Sequence, residues 1–322
     1  MNLESLASQL RVFVGITRKK QIGSLMQFFP IESGRIIASF GEDAAVIDDG
    51  EEVMLLAADG IWSKLMEVDP EWSGYCSVLV NVHDIAAMGG WPVAMVDVLS
   101  VDNGNQEIAE KVLRGMKKAI ELFHVPIIGG HLHPDTPYSA LDVAILGKAK
   151  KEAVILSSTA RAGEVVVAAA DMDGRVHPRF AINFDSTSFK DSKTLLTQLG
   201  CMRELGERGL VKAGKDISNP GLLGTLGMLL ETSRVGAVVD VEAIPVPAGL
   251  ELASWLKMYP GMGFVVTAKP ENAQAVLGVF ERRGLTARVI GRVTQERKLV
   301  IRQGSEETVL FDLEKECVTG IH

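Results

Sequence analysis

Short runs of Val, Ile, Leu and Ala recur along this chain, parted by stretches with the apolar period of a helix, and that alternation restricts it to layered α/β architectures. Leu3, Leu6, Leu10 and Phe13 stand at helical spacing and predict an opening amphipathic helix. Residues 44–47 and 53–58 read as strands separated by a turn-like DDGEE. Pro70 then opens a helix whose apolar positions run to Met88, where Gly89-Gly90 ends it and Pro92 keeps it from resuming. Residues 93–101 read as a strand and 105–123 as a helix with Ile108, Val112, Met116, Ile120 and Phe123 on its buried stripe. Strands over 125–128, before Gly129-Gly130-His131, and over 141–146 complete a two-layer α/β half.

The pattern breaks over 150–162, which sets an expected boundary between an N-terminal domain of residues 1–150 and a C-terminal domain of 151–322. Beyond it, strands are expected at 165–170, 237–241, 263–268, 287–293 and 298–302, with helices near 188–208, 219–233, 248–258 and 271–283. A length of 322 residues suits two domains, and 47% apolar residues supply a core for each. Aromatics make up only 6%, so the aliphatic residues carry the apolar load, as under a sheet covered by helices.

The formal charge of −8, with no basic run, argues against non-specific nucleic-acid binding, which needs many Lys and Arg. Cys76, Cys201 and Cys317 are far apart, without zinc spacing or a disulfide framework. The opening MNLESLASQLRVFVG lacks the pattern of a signal peptide, and no apolar run approaches the ~18 residues of a membrane span. A cytoplasmic protein acting on a small molecule, with no membrane or nucleic-acid partner, is the expectation.

Function is written in acids placed at element ends beside small residues. Glu42-Asp43 precedes a strand, Asp59-Gly60 ends one, and Asp84 lies late in an otherwise apolar helix. Asp216 comes before Ser218, Asn219, Pro220 and Gly221, at an expected helix start. Singly, each can be a cap or turn residue, because Asp accepts from nearby backbone N–H groups. Asp84, flanked by Val82, Ile85, Ala86 and Ala87, needs a partner if buried. Magnesium suits that need, because it prefers oxygen ligands and bridges carboxylates to phosphates. Such a cluster supplies the positioning and charge neutralisation that phosphoryl transfer requires. The P-loop, the dinucleotide-binding glycine signature and the nucleophile elbow are all missing from the sequence.

Taken in order, GEDAAVI (41–47), AADGIW (57–62), NVHDIAAMGGWP (81–92), IIGGHLHPD (127–135), RAGEVVVAAA (161–170) and DISNPGLLGTLGMLLE (216–231) resemble the PurM-like superfamily. That group holds aminoimidazole ribonucleotide (AIR) synthase, thiamine-monophosphate kinase, selenophosphate synthetase, the hydrogenase-maturation dehydratase and formylglycinamidine synthase. NVHDIAAMGG is the most specific block, and the whole is most similar to AIR-synthase-related proteins of the methanogenesis-marker type. The resemblance implies a two-domain α/β chain that forms a homodimer through its N-terminal strands and binds ATP with Mg2+ near that interface. It implies that Asp43, Asp59 and Asp84 hold the metal and that Asp216 belongs to the catalytic site. It places Asn81 beside them, and Gly129, Gly130 and Asn219 on the nucleotide. It further implies that Lys19 and Lys20, with Arg18, lie in a segment that covers the phosphates; by composition alone the same segment is a solvated basic patch.

Three departures qualify it. The kinase-like G-G-D-T is Gly129-Gly130-His131-Leu132 here, D-I-S-D-G-L becomes Asp216-Ile217-Ser218-Asn219-Pro220-Gly221-Leu222, and T-T-D is Ala57-Ala58-Asp59. The lost acids argue against thiamine-monophosphate kinase, and the N-terminal segment has no reactive Cys for selenophosphate synthesis. His131, His133 and Asp135 fall on one side of an extended segment, either as a general acid–base or a phosphate or metal contact, or as loop and capping residues. His83 is expected to face solvent or its neighbour, and His124 and His177 to be structural. The expected function is an ATP-dependent kinase- or ligase-like enzyme. The alternative is a nucleotide-binding regulatory or scaffold protein of the same fold.

Overall fold

The computed structural model describes residues 2–26, 28–259 and 261–321. Two mixed sheets organise it. The first is built from β1 (Ile36–Ala38), β2 (Ala45–Asp49), β3 (Glu52–Gly60), β4 (Trp91–Asp102), β5 (Ile127–Thr136) and β6 (Ala140–Lys150), in the order β1-β2-β3-β6-β4-β5. Its pairings are antiparallel except β4–β5, which run parallel and are joined by a helix crossover. The second contains β7 (Val165–Ala170), β10 (Ala213–Asp216), β11 (Gly236–Asp240), β12 (Gly263–Ala268), β13 (Thr286–Thr294), β14 (Lys298–Gln303) and β15 (Glu306–Asp312). Its order is β10-β12-β7-β13-β11-β14-β15, and β8 (Arg175–Val176) with β9 (Phe184–Asp185) forms a small separate ladder.

The N-terminal segment supplies α1 (Leu3–Arg11), α2 (Val14–Thr17) and α3 (Ile22–Met26), with a 3-10 turn at Arg18–Gln21. Helices α4 (Ser63–Val68), α5 (Pro70–Ala87) and α6 (Gln106–Phe123) belong to the first sheet, and α7 (Ser192–Glu207), α8 (Gly221–Ser233), α9 (Leu252–Trp255) and α10 (Ala273–Glu281) to the second. Helix α5 lies against β3 and β6 with α6 beside it, and α7 and α10 continue the same apolar core to one face of the second sheet. The other face of that sheet is covered by α8 and, from the far end of the sequence, by α1. β7 thus sends Val167 and Ala169 into one core and Val166 and Ala168 into the other, which is why Val165–Ala170 is an unbroken apolar run.

Helix α5 explains its own composition. Asp69 caps it by accepting from the Trp72 N–H at 3.0 Å, Pro70 takes the first turn, and Tyr75, Ser77, Val78, Asn81 and His83 are buried on different sides. A helix covered on all sides cannot show one apolar stripe. Its face towards α6 is opened by Gly74 and Gly115. A Cβ on Gly115 would stand 1.8 Å from the Glu71 carbonyl oxygen, so the two backbones touch where no side chain intervenes.

Several expectations need correction. The strand expected over 125–128 does not stop before Gly129-Gly130: β5 stays extended through both to Thr136. Asp216 ends a strand, β10, that was not expected, although the helix expected near 219–233 does follow it, from Gly221. The helix expected near 248–258 shrinks to Leu252–Trp255, because Pro245, Pro247 and the positive-φ Gly249 hold the preceding segment out of helix. His83 does not face solvent. It is 1% exposed beside Phe264, and burial without a partner for Nε2 pushes its pKa down to about 4.

Candidate functional site

Four chain segments bring the acids together. Asp43 follows the turn closed by the Glu42 N–H donating to Ser39 O (3.1 Å), Asp59 stands near the end of β3, Asp84 on the last turn of α5, and Asp216 at the end of β10. They line a cleft of about 670 Å³ between the two sheets, within the size range of small-ligand sites. One carboxylate oxygen each from Asp43, Asp84 and Asp216 lie within 4.8 Å of one another. Asp59 stands at the same cleft outside that triangle.

Among the described residues, no donor hydrogen-bonds to the Asp84 or Asp216 carboxylate, and Asp43 Oδ2 is buried without a partner. Loss of hydration raises the pKa of all four acids, most strongly for Asp84 and Asp216. Neighbouring acids raise them further, Glu42 at Asp43 and the other aspartates at Asp59, Asp84 and Asp216, while Lys215 opposes the shift at each and Lys19 also at Asp59 and Asp216. Asp59 presents surface to the wide cleft, yet it lies deep enough in the molecule for dehydration to dominate. Buried carboxylates normally hold donors, and a cluster without them is a setting in which a cation would be a suitable partner. An all-oxygen donor set at this spacing fits a hard divalent ion such as magnesium.

The surrounding contacts hold the cluster in shape. Glu42 accepts from the Ser157 N–H (2.5 Å) and hydroxyl (2.7 Å) and from the Ser158 hydroxyl (2.7 Å), fastening the Asp43 turn to the segment that enters the second sheet. Asp43 accepts a hydrogen bond from Lys215, whose side chain is only 3% exposed. Arg18 and Lys19 line the cleft from the N-terminal segment, with the Arg18 guanidinium 5.3 Å from the Trp62 ring centre. Thr319 and Ile321 wall it from the C-terminal segment, which buried Glu231 secures by accepting from the Val318, Thr319 and Gly320 N–H groups.

The other expected residues are spread more widely. Asn219 lines the cleft and keeps a buried carbonyl oxygen without a partner. Asn81 lies one turn before Asp84, fully buried, and donates to Ser77 O (2.8 Å). Lys20 is exposed and outside the cleft lining. Gly129, Gly130, His131 and His133 lie on exposed β5, away from the aspartates of their own chain. His131 and His133 do share a side, with ring centres 4.5 Å apart. They register beside Val98 and Ser100, on the sheet face opposite α5. Lys215 and the C-terminal wall were not anticipated, nor was the clamp that Glu42 makes on Ser157 and Ser158. The one signal for Lys215 was a lone lysine between small residues, Ala213-Gly214, and Asp216.

Residues 41–149 match the family described as AIR synthase related protein, N-terminal domain, and 152–304 match its C-terminal domain. An uncharacterized protein of Methanocaldococcus jannaschii is 45% identical over 99% of this chain and 100% of its own length. Another, from Synechocystis, is 38% identical over 99% and 98%. Among solved structures, T. maritima PurL complexed with ATP superposes with a TM-score of 0.72 at 20% identity, over 86% of this chain and 47% of PurL. AaThiL complexed with AMPPCP and TMP gives 0.64 at 19% identity, over 89% of this chain and 95% of AaThiL. The chain spans about half the length of PurL, and these structural likenesses concern the fold. Among the described residues, no helix is long and apolar enough to cross a membrane.

Proposed function

Because the chain belongs to the AIR synthase related family, within the PurM-like superfamily, we propose that it is an enzyme that uses Mg-ATP to phosphorylate or activate a small-molecule substrate in the aspartate cleft. The observation that carries this reading is the pair of dehydrated carboxylates, Asp84 and Asp216, that no described protein donor reaches. With Asp43 they would hold the metal, and Asp59 adds a further carboxylate at the cleft. When bound, magnesium supplies charge neutralisation between carboxylates and triphosphate and polarises the phosphoryl oxygens. Arg18 and Lys19 present positive charge to those oxygens, and Asn219 offers an unused amide oxygen to a ligand donor. The ATP in PurL and the AMPPCP in AaThiL, both of this fold, support the nucleotide assignment.

A homodimer completes the reading. The face of the first sheet opposite α5 is apolar and open: Leu56, Val96 and Val98 are 47%, 44% and 41% exposed, and Leu56 also lines the cleft. A second copy on this face would wall the cleft, and His131 and His133 would then act across the interface. The exchange of family acids for His131 and Asn219 favours a second reading, a nucleotide-binding regulator without turnover.

Calorimetry with AMPPCP tests the site, and a screen for Mg2+-dependent ADP release over small carboxylates, amides and phosphate esters tests turnover. Magnesium-dependent AMPPCP binding with substrate-stimulated ADP release is the expected result. Binding that ignores removal of magnesium would sink the proposed site, and binding without release under any substrate would favour the regulator.

A further inference from the structure

Lys215 is the unexplained charge of this cleft. It is the penultimate residue of β10, its side chain is 3% exposed, and its ammonium donates to Asp43 and to the Gly41 carbonyl oxygen at 3.3 Å. Asp43, its partner, is 6% exposed and keeps its other carboxylate oxygen without a donor. A buried pair of this kind is poor value as a structural tie, because stripping water from both ions offsets most of their attraction. The Asp43 turn is already held by Glu42 through Ser157 and Ser158. What an ammonium does here that no neutral residue could is place a positive charge on one carboxylate of a cluster spaced to hold a metal.

We propose that Lys215 is a resident cation of the cleft, occupying at Asp43 the place of one divalent ion, so that the site loads one ion fewer than its carboxylates would otherwise take. This rests on the metal–nucleotide reading above. The ammonium carries a single charge on a flexible stem, and unlike a free ion it cannot be diluted or chelated away. Asp43 therefore stays neutralised and in position while the cleft is empty. Asp84 and Asp216, which no described donor reaches, remain open to a metal that arrives with the nucleotide. Lys215 is in these terms a positioning residue and a charge substitute. The donor set left for metal is Asp84, Asp216 and the free Asp43 oxygen, with Asp59 alongside.

Counting Mn2+ bound per chain in the presence of AMPPCP, by electron paramagnetic resonance of the free ion, tests this directly. Lys215→Met should bind one Mn2+ more per chain than the wild-type protein, whereas Lys215→Arg, which keeps the cation, should bind the wild-type number. Should the methionine variant fail to fold, Lys215→Gln removes the charge while retaining a donor beside Asp43, and the same extra ion is expected. A purely structural lysine would lower stability and leave the count unchanged; an unchanged or reduced count in a folded neutral variant overturns the proposal. If the wild-type protein binds no Mn2+ with AMPPCP, the metal–nucleotide reading itself fails, and this inference with it.

Discussion

Asp84 accepts no hydrogen bond from the described residues and is positioned by the helix that carries it. Asp84→Asn removes charge without changing shape, so Mn2+ affinity should fall at least about tenfold, ~1.4 kcal/mol. The metal-free protein should melt no lower than wild type, because a repelling carboxylate is gone. Titration with Mn2+ and a melting curve of the same sample check both halves. The raised pKa values set a pH dependence of definite sign. A carboxylate whose pKa is raised keeps its proton at higher pH than usual, so protons compete with metal above the ordinary carboxylate range near ~4. Mn2+ affinity should climb as pH rises from mildly acidic values towards neutrality, and calorimetry that found it flat there would contradict the dehydrated cluster. At this scale the four aspartates were legible because each sits at an element end beside small residues. Lys215 was not, because a lone lysine next to a polar loop looks like solvated surface. His83 misled for the opposite reason: in a helix buried on all sides, no position reads as solvent-facing.

Helix α5 links packing to chemistry. It meets α6 at the Gly115–Glu71 contact and delivers Asp84 from its far end. Gly115→Ala forces a methyl group into the Glu71 carbonyl and must push the helices apart. A loss of about 1–3 kcal/mol in urea unfolding is expected, the usual range for overpacking. Mn2+ affinity should weaken with it, since α5 cannot shift without moving Asp84. A substitution that left both unchanged would show the crossing to be slack. Long helices and apolar strands were readable from period and punctuation. The missed strands lack those signals: β10 is Ala-Gly-Lys-Asp, and β15 lies at a sheet edge with Glu306, Glu307 and Val309 exposed. Its membership depends on pairing with β14, which no local pattern records.

For the molecule as a whole, the open face of the first sheet is the untested surface. Leu56 pairs across with Leu146, Ala58 with Ala144, and Ala144 in turn with Val96, so an apolar band crosses three strands beside the cleft. Val96→Glu places a charge within that band. If two copies meet there, the variant should run as a monomer in light-scattering chromatography where the wild-type protein runs as a dimer, and should bind AMPPCP more weakly. A wild-type monomer would remove the dimer from the proposal and leave the aspartates untouched. The layered fold and the family were legible in the sequence because strand–helix alternation and the NVHDIAAMGG block are local. The shape of the cleft was not, because its walls come from residues as distant as Arg18, Asp84, Lys215 and Ile321.

The seating of α1 has a consequence for how the chain is made. Its Leu3, Leu6 and Leu10 are buried in the core of the second sheet, and Arg11 donates to the Leu310 carbonyl on β15, 299 positions further along. A ribosome releases α1 long before the strands that receive it exist. Until then its leucines are exposed and available to chaperones or to neighbouring nascent chains, while the first sheet, whose strands end at Lys150, can already assemble. Moving α1 by circular permutation to follow β15 would place it beside its seat at the moment of release, and should shorten the interval in which the newborn protein can aggregate.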